Sequence, residues 1–129
     1  MSESVSDGEP RLTAVVCDDD RITRQLVREV VERCGFAVLA GVDNAMDALN
    51  LVLSHQPHVI VLDLVLPGIA GEEIIATIHD ATDTKVIVHT AHDPRFAVKN
   101  GARIFVSKGK VALLEQTLLR IAEEAAANA

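Results

Sequence analysis

The sequence predicts an α/β domain: a doubly wound, five-stranded parallel sheet with helices on both faces. Three observations predict it. Short apolar runs rich in Val and Ile alternate along the chain with longer stretches of helical period. The runs are mostly apolar at consecutive positions, as in strands covered on both faces. The chain has 129 residues, 49% of them apolar, which suits one domain with a full core. Alternation of this kind implies right-handed crossovers between parallel strands.

Taken in order, residues 1–10 are rich in Ser, Glu and Asp, with Gly8 and Pro10, and read as a flexible tail ahead of a domain over 11–129. Strands are predicted at 12–17, 36–40, 59–62, 86–89 and 104–106. Ile22, Leu26, Val30 and Cys34 recur every four residues, with Val27 and Val31 widening the stripe, so a first helix follows strand one. Asp20 is its candidate N-cap and Gly35 its stop. Ala45, Leu49, Val52 and Leu53 mark a second helix, capped by Asp43 or Asn44 and finished before Pro57. Ile74, Ile75 and Ile78 mark a third, after a turn holding Pro67, Gly68 and Gly71. Leu114, Leu118, Ile121 and Ala125 mark the last, whose Ala-rich end is expected to fray.

Composition excludes several functions. Twelve Lys plus Arg against 19 Asp plus Glu gives −7, the wrong sign for holding nucleic acid through its phosphates. With no Trp or Tyr and three Phe, base stacking has no platform. No apolar run reaches the length of a membrane span, and the N-terminus lacks a secretion signal. Two cysteines without a CxxC pair are expected as reduced thiols in the cytoplasm, Cys17 packing as a small apolar group.

Function in such sheets lies at the carboxyl ends of the strands, near the point where the strand order reverses. Strand one ends in Asp18-Asp19-Asp20 and strand three in Asp63. Strand four runs into Thr90-Ala91, and strand five into Ser107-Lys108. Two carboxylates about 4 Å apart repel by roughly 4 kcal/mol at an effective dielectric of about 20. Asp18, Asp19 and Asp63 therefore call for a cation if they converge. All-oxygen ligands favour Mg²⁺, with Mn²⁺ able to replace it, and no His or Cys beside them suits zinc. Asp63 then reads as a carboxylate nucleophile, Lys108 as a fixed charge for phosphoryl oxygens, and the Thr90 hydroxyl as a donor to one of them.

These residues resemble the receiver domain of two-component response regulators, including the single-domain chemotaxis type. Asp63-Leu64-Val65-Leu66-Pro67-Gly68-Ile69-Ala70-Gly71 is similar to the family's phosphorylation segment. Val16-Cys17-Asp18-Asp19-Asp20 is similar to its first-strand acidic motif. Thr90-Ala91 and Gly101-Ala102-Arg103-Ile104-Phe105-Val106-Ser107-Lys108 are similar to its last two. The resemblance implies a flavodoxin-like (βα)5 fold with strand order 2-1-3-4-5. It implies that Asp63 accepts a phosphoryl group from a sensor histidine kinase or phosphotransfer protein. Asp19 and Asp63 would bind the metal directly, Asp18 through water, and Val65 through its carbonyl. Val65 and the Ala91 N–H would also border the phosphoryl group, and Thr90 with Phe105 would form a switch. Val65 and His92 hold positions that influence phosphoryl lifetime, apolar Val65 being expected to slow attacking water.

Two departures from the family pattern stand out. Only ten residues, 91–100, separate Thr90 from Gly101, so the family's fourth helix is expected to be shortened or missing. After Lys108 comes Gly109 where the family has Pro, so a trans bond is expected there. Of the histidines, His55, His58 and His79 are expected to be solvated, and His89 to point to the sheet face opposite Thr90. The chain stops at Ala129, so output is expected through docking to an unknown downstream protein or through relay. The domain would act as a phosphoacceptor and not as an enzyme.

The same residues are open to two other readings. One is a receiver-like interaction module that no longer uses phosphorylation. The other is a phosphatase of the haloacid dehalogenase type, suggested by Asp18-x-Asp20, Thr90 and Lys108. The latter needs an acid at a strand end after Lys108, where only Glu115, Glu123 and Glu124 follow, all on the last helix.

Overall fold

Strand–helix alternation appears as read. The computed structural model describes residues 12–64, 71–91 and 104–128. In chain order they form β1 (Leu12–Cys17), α1 (Arg21–Arg33), β2 (Phe36–Val42), α2 (Ala45–His55), β3 (Val59–Leu62), α3 (Gly71–Ala81), β4 (Lys85–Thr90), β5 (Ile104–Ser107) and α4 (Val111–Ala127). The strands make one sheet in the order β2-β1-β3-β4-β5, every pair parallel. The tail over 1–10 and the segment expected to hold the family's shortened fourth helix lie outside the described residues.

Alternation along each strand divides the core in two. On one face Ala14, Val16, Val61, Ile87 and Val106 pack under α1 and α4, which contribute Val27, Val30, Val31, Leu114, Leu118 and Ile121. On the other, Val15, Cys17, Ile60, Leu62 and Val88 pack under α2 and α3 through Ala48, Val52, Ile74, Ile75 and Ile78. Each fully buried Val, Leu or Ile contributes roughly 1.5–3 kcal/mol relative to exposure. Helices on both faces make the sheet doubly wound, and this packing fixes which strand ends share an edge.

Local chemistry sets the helix starts. Asp20 caps α1: its Oδ2 accepts from the Thr23 N–H at 2.9 Å and from the Thr23 hydroxyl. Asn44, not Asp43, caps α2, its Oδ1 accepting from Asp47 N–H at 2.9 Å. The Ala-rich end of α4 does not fray as expected: the helix runs through Ala127, and Asn128 N–H reaches Glu124 O at 3.1 Å. Alanine is the best helix former, so Ala125, Ala126 and Ala127 favour the last turn.

The structure extends β2, β4 and β5 beyond the sequence reading, to Val42, over Lys85–Thr90 and to Ser107. Ladder partners on neighbouring strands supply those bonds, which local hydropathy does not reveal. After β5 the chain turns through Gly109, whose φ of +89° suits glycine, with Lys110 N–H donating to Ser107 O at 3.1 Å. Among the described residues there is no cis peptide bond, in agreement with the expectation for this turn. His58 is exposed, as expected, and its Nδ1 also accepts from Thr13 N–H at 3.1 Å at the start of β1.

Candidate functional site

The strand order reverses between β2-β1 and β1-β3, and the acidic residues gather at the carboxyl edge there. Asp18 continues β1 by one residue, its N–H donating to Val42 O at 3.0 Å. Asp63 does the same for β3, its N–H donating to Cys17 O at 3.0 Å. Parallel register thus sets the two acids side by side although 45 residues separate them in sequence. Asp19, exposed on the turn into α1, completes the group. One carboxylate oxygen from each of Asp18, Asp19 and Asp63 lies within 4.8 Å of the other two.

Lys108 enters from the end of β5, placed by its N–H bond to Thr90 O at 3.0 Å. Its Nζ lies 2.9 Å from Asp63 Oδ2, as a hydrogen bond, and 3.0 Å from Asp18 Oδ2. The second contact is an ion pair off the hydrogen-bond direction, because the buried Asp18 Oδ2 has no hydrogen-bond partner. Asp18 Oδ1, by contrast, accepts from Asp20 N–H at 2.9 Å. Burial works against the Lys108 charge, but the hydrogen bond to Asp63 and the close negative charges of Asp63 and Asp18 outweigh it and hold its pKa above the ordinary 10.5.

The donor set fits a hard divalent cation. It is all oxygen, two of the three acids are buried, and a buried carboxylate oxygen lacks a hydrogen bond. Cys17, next to the site, is buried in the core under α2 and α3, and burial, then the charges of Asp18, Asp63 and Asp43, push its thiol up to about 12. Its Sγ donates to Asn44 O at 3.5 Å.

Thr90 ends β4 and is fully buried, and Ala91 follows it at the exposed rim. Phe105 pairs in register with Val88 and packs, half-buried, on the α2–α3 side. Val65 and His92 lie outside the described residues. The acid required by the phosphatase reading is absent among the described residues after Lys108. Glu115, Glu123 and Glu124 sit on α4, and Glu115 pairs with Arg33 at 3.1 Å.

These positions match a family pattern across most of the chain: the model of the response regulator receiver domain matches residues 14–118. The chain belongs to the response regulator receiver family. Among its relatives is the protein-glutamate methylesterase/protein-glutamine glutaminase of Natronomonas pharaonis, 33% identical over 81 residues, which are 63% of this receiver and 23% of that protein. The receiver spans about a quarter to a half of the curated relatives it matches. The DNA-binding response regulator, LuxR family, of Staphylococcus aureus superposes with a TM-score of 0.74 at 29% identity, covering 87% of this chain and 97% of that one. The chemotaxis response regulator CheY4 of Vibrio cholerae shares the fold, with a TM-score of 0.71 at 20% identity over 87% of this chain and 99% of its own. Among the described residues no helix is long and apolar enough to cross a membrane.

Sequence reasoning placed His89 on the correct face but missed its surroundings. It is 6% exposed at the floor of a cavity of about 100 Å³ between α1 and α4, lined also by Val27, Val30, Leu114 and Lys108. Burial first, then the Lys108 charge, hold its pKa below the ordinary 6.5, against an opposite pull from Asp18 and Asp63. The unfolded chain therefore binds this proton at a higher pH than the folded one. Stability present above pH 6.5 is lost as the pH falls toward the folded value. His89→Leu is expected to lose less stability than wild type between about pH 7.5 and about pH 5.5 in urea melts. Parallel pH profiles would discard this account.

Proposed function

We propose that this receiver accepts a phosphoryl group on Asp63, in a Mg²⁺-dependent transfer from the phosphohistidine of a sensor kinase or phosphotransfer protein, and signals by protein–protein contact in the cytoplasm. The observation that carries the reading is the meeting of Asp18, Asp19 and Asp63 with Lys108 ion-paired among them at one sheet edge. An Asp63 carboxylate oxygen attacks phosphorus, the bond to the donor nitrogen breaks, and its electron pair returns to the imidazole. Lys108 offers positive charge to the phosphoryl oxygens, and Thr90 and the Ala91 N–H border the acceptor as donors. Asp19 and Asp63, with the Val65 carbonyl, would hold the Mg²⁺ directly and Asp18 through water; the ion supplies neutralising charge for the oxygens.

Water attacking phosphorus breaks its bond to the Asp63 oxygen, releases inorganic phosphate and regenerates the carboxylate, so the modification is transient and the domain serves as a phosphoacceptor. The modified side chain carries a charge of about −1.5 to −2. That local change needs a movable element, and Thr90 with Phe105 behind it is the candidate switch.

Acetyl phosphate with Mg²⁺, followed by intact mass measurement, tests the reading. Wild type is expected to gain one phosphoryl group, and Asp63→Asn none. An unmodified wild type, or an equally modified Asp63→Asn, would overturn it in favour of an interaction module or another acceptor.

A further inference from the structure

The turn that presents Asp19 is closed by a residue outside the acidic cluster. Arg24 Nη1 donates to the Asp18 carbonyl at 2.9 Å, and the Arg24 backbone N–H donates to Asp20 O at 2.9 Å. One residue thus holds the carbonyls on both sides of Asp19. β2 ends at Val42, whose carbonyl still accepts from Asp18 N–H. The next bond along that edge, to Asp18 O, comes from a guanidinium.

The Arg24 stem packs directly on β2. A Cβ built on Gly41 would lie 3.4 Å from Arg24 Cγ and 3.5 Å from Cδ, already in van der Waals contact, so a branched side chain there would displace the stem. A bulge contributes to this arrangement: Ala14 pairs with Val38 but Val15 with Ala40, so the register shifts past Leu39 and sets Gly41 opposite Val16. The half-buried Arg24 stem lies over the bare glycine, and its head closes the turn.

We propose that Arg24 is a positioning residue for the metal-binding Asp19, and that Gly41 is the space that lets it act. The proposal rests on the receiver reading above. Two physical effects oppose each other at Arg24. Its charge beside the acids disfavours a second cation, whereas its hydrogen bond fixes the turn from which Asp19 projects. The geometry favours the second effect, because the donor is spent on a backbone carbonyl and not on a carboxylate. Asp19 is also the exposed member of the group, so its turn must hold it in place.

Mg²⁺ titration of the full chain by calorimetry, well below the melting temperature of each variant, decides between them. Arg24→Ala is expected to bind Mg²⁺ about 10-fold more weakly, the usual cost of losing a partner that orients a ligand. Gly41→Val, a good strand residue on an edge strand, is expected to weaken binding similarly in wild type and to add nothing in Arg24→Ala. Tighter or unchanged binding in Arg24→Ala would show that charge governs and would overturn the proposal. So would additive effects in the double variant. Wild type that binds no Mg²⁺ would remove the proposed Mg²⁺-dependent phosphoacceptor function and this proposal together, whereas binding by wild type with an indifferent Arg24→Ala removes the proposal alone.

Discussion

Lys108→Met is expected to lower stability in metal-free buffer by about 3 kcal/mol, with Mg²⁺ restoring most of the loss. The ammonium is the cation that the structure places between Asp18 and Asp63, at 3.0 and 2.9 Å. The two acids are 3% and 6% exposed, and the lysine 24%. Methionine keeps the apolar stem and removes the charge, leaving two carboxylates buried side by side. Breaking such a pair costs more than the pair itself contributes, because the abandoned charges remain desolvated. The effect belongs at the lower end of the range for buried pairs, since the site opens to solvent through Asp19 and Lys108. The variant should also gain more from Mg²⁺ than wild type does, because the ammonium no longer competes with the ion for Asp18 and Asp63. Urea melts in EDTA and in Mg²⁺ give both quantities. A variant as stable as wild type in EDTA would mean that the acids do not need this charge.

Asp19→Asn is expected to act in the opposite sense. An ion that binds the folded chain alone stabilises it by about 2.7 kcal/mol at a hundred times its dissociation constant. Wild type should show that increment, and Asp19→Asn should lose most of it. Without metal the variant should be no less stable than wild type. Asp19 is exposed, and removing it relieves repulsion from two neighbouring carboxylates. Melting curves with and without Mg²⁺ should therefore change places: the variant at or above wild type in EDTA, below it in Mg²⁺. An undiminished Mg²⁺ increment in Asp19→Asn would place the ion elsewhere.

Much of this site was legible before the fold was known. Asp18, Asp19, Asp63, Thr90 and Lys108 follow apolar runs, and a run of strand length ending in a polar residue marks a strand end wherever it occurs. The Asp20 cap and the opposite orientations of His89 and Thr90 are likewise short-range facts, whereas the stripe read from Ile22 to Cys34 holds only in part: Val27, Val30, Val31 and Cys34 are buried, but Ile22 is 80% and Leu26 46% exposed, because the start of α1 projects past the sheet edge it covers. Arg24 was not legible. An arginine four residues after a capping aspartate is an ordinary helix residue until β2 is known to end beside it with Gly41 beneath. The acceptor role of the exposed His58 was hidden for a similar reason, because it needs Thr13, 45 residues earlier.

The sequence by itself determined the order of the elements, the Asp20 cap and the acids at the strand ends, because periodicity and capping act over a few residues. Only the tertiary structure decided that Lys108 reaches both Asp18 and Asp63, that Thr90 is buried, and that Arg24 closes the turn around Asp19. These depend on which strands are neighbours and in what register, and register is set by packing two helical layers against one sheet. No local pattern in the chain carries that information.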